Sequence, residues 1–83
     1  MRSDHLSVGT YSVAVGGRDD QVPHTEDEVY VITAGRARLA TPTASIGVEP
    51  GQAVFVPAGE PHRFVDITED FTAVVIFAPP ERG

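Results

Sequence analysis

Nowhere in this chain do apolar residues keep the i, i+3, i+4, i+7 spacing over the length a helix requires, and a period of two recurs instead. Val, Ile, Thr, Phe and Tyr dominate the stretches Leu6 to Val15, Glu28 to Ala34, Arg36 to Ala40, Ser45 to Val48, Ala53 to Val56, His62 to Thr68 and Thr72 to Ala78, which read as strands. Between them stand turn formers: Gly16-Gly17, Ala34-Gly35, Thr41-Pro42-Thr43, Glu49-Pro50-Gly51, Pro57-Ala58-Gly59-Glu60-Pro61 and Glu69-Asp70. Short strands at close spacing without crossover helices predict an all-β sandwich or closed barrel, mostly antiparallel.

A chain of 83 residues holds apolar material for one core, so residues 1–83 are expected to form a single domain. Stability at that size is marginal without a disulfide, a metal or a second subunit, and there is no cysteine. Thr72 to Ala78 is almost continuously apolar, which predicts a strand buried on both faces and favours a homodimer. No apolar run is long enough for a signal sequence or a membrane span, so the expected location is cytoplasmic.

Twelve acidic residues against six arginines give a net charge of -6 with no basic cluster, which argues against nucleic acid and anionic membranes as partners. The chain has no lysine, so Schiff-base chemistry is excluded. What remains is a small-molecule ligand or substrate held inside a barrel.

Two of the three histidines stand beside turns, in Pro23-His24-Thr25-Glu26-Asp27-Glu28 and in Pro57-Ala58-Gly59-Glu60-Pro61-His62. His24 and Glu28 would lie roughly 13 Å apart in a straight strand, too far to share an ion with ligand bonds of about 2.1 Å, so joint ligation needs a bend at Thr25-Glu26-Asp27. Glu28 opens an apolar strand and, if it points inward, requires a cation or donors; Arg36 or Arg38 is the alternative to a metal. Tyr30 follows two residues later on the same face, within reach of the same interior. Glu26, Asp27, Glu69 and Asp70 read as solvated turn residues, and Tyr11, Tyr30, Phe55, Phe64, Phe71 and Phe77 as barrel filling. Arg63 should point away from His62.

These residues resemble the two motifs of the cupins. The first motif, Gly, five residues, His-x-His, three or four residues, Glu, six residues, Gly, is laid over residues 16–35 as Gly16, Val22-Pro23-His24, Glu28 and Gly35, with Val22 in place of the first histidine. The second, Gly, five residues, Pro-x-Gly, two residues, His, three residues, Asn, covers residues 51–66 as Gly51, Pro57-Ala58-Gly59, His62 and Asp66, with Asp for Asn. The resemblance implies a cupin-type double-stranded β-helix, or jelly-roll barrel, of the small RmlC-like bacterial kind. It implies a divalent transition metal, Fe, Mn, Ni, Co or Zn, held by His24, Glu28 and His62. Two imidazoles and one carboxylate form a facial set with open positions, and Gln21 joins it only if a bulge turns it inward.

The function so implied is a metal-binding cupin acting on a small molecule, in the range of dioxygenases, isomerases, lyases and cyclases, with Glu28 and Tyr30 as candidate catalytic groups. The alternative is a non-catalytic binding or sensing cupin whose metal site lost a ligand at Val22.

Overall fold

The computed structural model describes residues 3–19 and 25–79, which form five strands and no helix. They are β1 (Ser7–Val13), β2 (Asp27–Ala40), β3 (Ser45–Val48), β4 (Ala53–Val56) and β5 (Arg63–Ala78). All pairings are antiparallel. β2 carries β5 along one edge; along the other, its first half carries β4 and its second half β3. β1 lies outside the second half of β5.

β3 and β4 match the expected strands residue for residue, whereas β2 and β5 each join two stretches expected to be separate. Ala34-Gly35 and Glu69-Asp70 are not turns. They face each other as irregularities of the β2–β5 ladder, whose register shifts between Ile32 and Ala34, Ala34 and Arg36, and Arg36 and Arg38. Gly35 has φ +85° there, and a Cβ on it would fall against the carbonyl of Asp70 and 2.8 Å from the Phe71 Cα. Only glycine permits both that backbone and that approach.

The consequence is a ladder folded over on itself. Tyr30 and Leu39 are nine residues apart on β2, roughly 30 Å in a straight strand. Yet Phe64, the register partner of Leu39, sits with its ring 5.0 Å from that of Tyr30 in an edge contact. Phe64 also packs at 4.7 Å on Phe71, from the other half of its own strand. Bending at Gly35 and Asp70 therefore closes the interior between the two halves of one long hairpin.

That interior holds Tyr30, Ile32, Ala37, Leu39, Val48, Val56, Phe64, Ile67, Phe71, Ala73, Val75 and Phe77, with half-buried Tyr11 packed against them. Each of the large side chains contributes about 1.5–3 kcal/mol by leaving water. Phe55 departs from the expected barrel filling: it points outward and is 60% exposed. The alternation also corrects the reading of Thr72 to Ala78 as buried on both faces. Ala73, Val75 and Phe77 are buried, while Thr72, Val74 and Ile76 are half-buried on the outer face and Ala78 is exposed.

Beyond β1, the strap of residues 14–19 follows the otherwise open edge of the first half of β5. Gly16 donates its N–H to the Ile67 carbonyl at 3.1 Å, and Val15 donates to Asp70 Oδ1 at 2.8 Å. Asp19, buried, accepts the Phe64 N–H at 2.7 Å and so supplies the acceptor a neighbouring strand would have given.

Candidate functional site

β2 alternates strictly at its start, so Glu28 and Tyr30 both face the interior, along with Glu26 just before the strand. His62 comes from the far end of the hairpin. It precedes Arg63, which pairs with Ala40, ten residues from Tyr30 along β2, and only the fold-over at Gly35 brings it back. Arg63 is exposed, as expected from its neighbour's inward position.

The three side chains meet. Tyr30 donates its hydroxyl hydrogen to Glu28 Oε2 at 2.7 Å, and His62 Nε2 lies 3.1 Å from the same hydroxyl. His62 Nε2 is 3.7 Å from Glu28 Oε1. On its other side, His62 Nδ1 is 2.9 Å from the Glu60 carbonyl, an acceptor only, so that nitrogen carries the hydrogen. The Nε2 lone pair is thereby aimed at Tyr30 and Glu28. All three groups are at least nine-tenths buried, and no buried side-chain nitrogen or oxygen among the described residues lacks a partner.

Neither arginine serves Glu28. Arg36 bridges Glu49 at 3.3 Å and Glu69 at 3.2 Å on the surface, and Arg38 donates to Ser45. The carboxylate accepts the Tyr30 hydroxyl hydrogen instead.

Glu28 and His62 suit a metal as two of its ligands. An imidazole whose Nδ1 is held by a backbone carbonyl presents Nε2 in the tautomer a metal needs. Two atoms each about 2.1 Å from one ion stand roughly 3 to 4 Å apart, which the 3.7 Å separation meets. Among the described residues no group of three or more His, Cys, Asp or Glu gathers as a metal site. The third expected ligand, His24, lies outside the described residues, as do Val22 and Gln21; of the bend expected at Thr25-Glu26-Asp27, the backbone bends at Thr25 and Glu26, and Asp27 opens β2.

Two residues differ from their reading in the sequence. Glu26 is not solvated: it is 2% exposed and bonded by the Thr25 hydroxyl. Its parity with Glu28 and Tyr30 sets it apart from Asp27, which is exposed and accepts the Ala58 N–H at 2.8 Å. Asp19 was not singled out at all, because its role depends on a strand 45 positions away. Asp66, the motif's Asp for Asn, takes φ +51°, a left-handed conformation that Asn and Asp share more readily than other side chains. The substitution therefore keeps the backbone that this place demands.

Two grooves lie elsewhere. One of about 450 Å³ runs between Arg36, Arg38, Glu49, Gln52, Asp66 and Thr68. A smaller apolar one, about 170 Å³, opens between β3 and β4 past Ile46, Val54 and Val56 toward Glu60, the residue that holds His62.

Comparison with known proteins agrees with this architecture. The sequence pattern of the Cupin domain matches residues 9–79. An uncharacterized protein of Streptomyces coelicolor is 42% identical over 81 residues, 98% of this chain and 77% of the relative. The crystal structure of the DMSP lyase DddQ from Ruegeria pomeroyi superposes with a TM-score of 0.84 at 28% identity, over 92% of this chain and 39% of the lyase. A Cupin 2 conserved barrel domain protein from Salinispora arenicola gives a TM-score of 0.80 at 24% identity, over 93% of this chain and 65% of that one. This chain thus spans less than two thirds of either solved protein. Among the described residues, no helix is long and apolar enough to cross a membrane.

Proposed function

This chain belongs to the cupin family, and from that premise we propose that it is a metal-dependent cupin performing proton-transfer chemistry on a small molecule. The observation that carries the reading is the buried convergence of Glu28, Tyr30 and His62. Acid–base groups linked in this way move protons, which elimination and isomerisation require; the likeness to a lyase at 28% identity leans the same way.

Glu28 and His62, with His24, would hold the ion, which when bound supplies Lewis acidity toward an oxygen of the substrate. The Glu60 carbonyl fixes the His62 ring and its tautomer. Tyr30 Oη holds a proton already directed at Glu28 Oε2, so these atoms can deliver it to, or receive one from, a molecule in the interior. Phe64, packed edge-on against Tyr30, keeps its ring in place and water away.

The second reading is a non-catalytic binding cupin. It is favoured by Val22 in the first motif and by the buried network, in which the Tyr30 hydroxyl stands between Glu28 and His62.

Metal analysis of untagged protein tests the proposal. After reconstitution with Fe(II), Mn, Co, Ni or Zn, one of them is expected at about one equivalent per chain in the wild type, in keeping with a single ligand set, and to be lost in His62→Ala. Sub-stoichiometric metal throughout, or equal content in the variant, refutes it.

A further inference from the structure

Glu28 and His62 reach the interior from two segments that one surface carboxylate ties together. Glu28 stands on β2, whose ladder with β4 ends at the Glu28–Val56 pair. β4 then gives way to the turn Pro57-Ala58-Gly59-Glu60-Pro61, and His62 follows directly. Proline has no N–H, so Pro57 cannot donate to a continued ladder. Asp27, the chain neighbour of Glu28, takes over there. It is exposed where Glu28 is buried, and its Oδ1 accepts the Ala58 N–H at 2.8 Å.

The turn passes this anchor on to the imidazole. Glu60 donates its N–H to the Pro57 carbonyl at 3.1 Å, and Gly59 has φ +77°, which suits the third place of such a reversal. The Glu60 carbonyl in turn meets His62 Nδ1 at 2.9 Å, across a proline whose φ is fixed by its ring. Among the described residues, Asp27 and His62 are the only side chains hydrogen-bonded to residues 57–61.

We propose that Asp27 is a positioning residue of the site: through the turn it sets where the Glu60 carbonyl stands, and thereby the tautomer and the aim of the His62 ring. Its consequence for an ion rests on the reading of Glu28 and His62 as ligands. What the site takes from Asp27 is an acceptor at one point in space. Its charge is secondary, because the carboxylate is exposed and solvent screens it from the interior. An amide oxygen in the same place therefore serves as well. Removing a group that holds the far nitrogen of a ligating histidine lowers metal affinity about 10–100-fold. Asp27 acts one hydrogen bond further out, so the lower end of that range is expected.

Nitrogen-15 NMR of the His62 ring in metal-free protein, in alkaline buffer where imidazole is neutral, reads the tautomer; competition with a chromophoric chelator reads metal affinity. Wild type and Asp27→Asn are expected to hold the ring hydrogen on Nδ1 alone and to bind metal within about twofold of each other. Asp27→Ala should show mixed tautomers and about tenfold weaker binding, with an unchanged circular dichroism spectrum. Asp27→Val, a strong strand former, gives the same reading should alanine loosen the start of β2. Gln52→Ala is the control. It removes a bond of the same kind, the 2.9 Å contact of Gln52 Oε1 with the Glu49 N–H, from the turn at the other end of β4, and should move neither reading. A wild-type tautomer or wild-type affinity in both Asp27→Ala and Asp27→Val overturns the proposal. So does Asp27→Asn behaving like alanine, or Gln52→Ala shifting the ring equally. If even the wild type takes up no metal, the ligand reading falls, and the tautomers by themselves decide the role of Asp27.

Discussion

The Tyr30 hydroxyl stands 2.7 Å from Glu28 Oε2, two residues back on the same strand face, and donates its hydrogen there. The same oxygen is 3.1 Å from His62 Nε2, so one phenol links a carboxylate to an imidazole 32 positions away in the sequence. The link is buried, and each of its members would be costly to leave alone.

Tyr30→Phe removes that link, takes the donor from Glu28 Oε2 and leaves His62 Nε2 without its neighbour. In metal-free protein the loss is expected to be about 1–3 kcal/mol in urea unfolding. A bound ion would serve the same acceptors, so the deficit should shrink after metal reconstitution. A deficit of the same size with and without metal would mean that Glu28 and His62 are not ligands.

Val22→His restores the first histidine of the family motif. Adding an imidazole to a facial set should raise metal affinity by about tenfold or more, or about 1.4 kcal/mol, measured by competition with a chromophoric chelator. Unchanged affinity would place position 22 away from the ion.

Asp19→Ala takes the acceptor from the buried Phe64 N–H. A cost of about 1.5–3 kcal/mol is expected, with Asn, which retains a carbonyl oxygen, recovering part of it. Faster hydrogen exchange at Phe64 in the alanine variant locates the effect; unaltered exchange there would show that the contact contributes nothing.

Gly35→Ala sets a methyl group against the Asp70 backbone at a residue with positive φ. Destabilisation of about 3 kcal/mol or more follows from strain and clash together. Because the fold-over carries His62 to Tyr30, surviving folded protein should also lose metal uptake. Wild-type stability would contradict the account of the bend.

Three residues of the candidate site were legible in the sequence. Glu28 and His62 were singled out by the resemblance to the cupin motifs and Tyr30 by strand alternation, and the exposure of Arg63 followed from its neighbour. The readings that failed needed information of another kind. Glu26 and Asp27 have the same chemistry and adjacent places, and what buries one but not the other is that the alternation of β2 continues one residue ahead of the strand. Phe55 is as apolar as Phe64, but its parity on β4 sends it outward, and parity can be assigned only once the register with Val29 is known.

The amino-acid sequence by itself determined the all-β class, the antiparallel pairing and the chemical inventory of the site, because periodicity, turn residues and side-chain types are written along the chain. Tertiary structure alone decided that Ala34-Gly35 and Glu69-Asp70 are a bend within two long strands. It also decided that Asp19 closes the edge of β5, and that one hydroxyl joins Glu28 to His62. The physical reason is that a local signal marks where the backbone departs from a regular strand, whereas the contact it makes there depends on packing between residues remote in sequence.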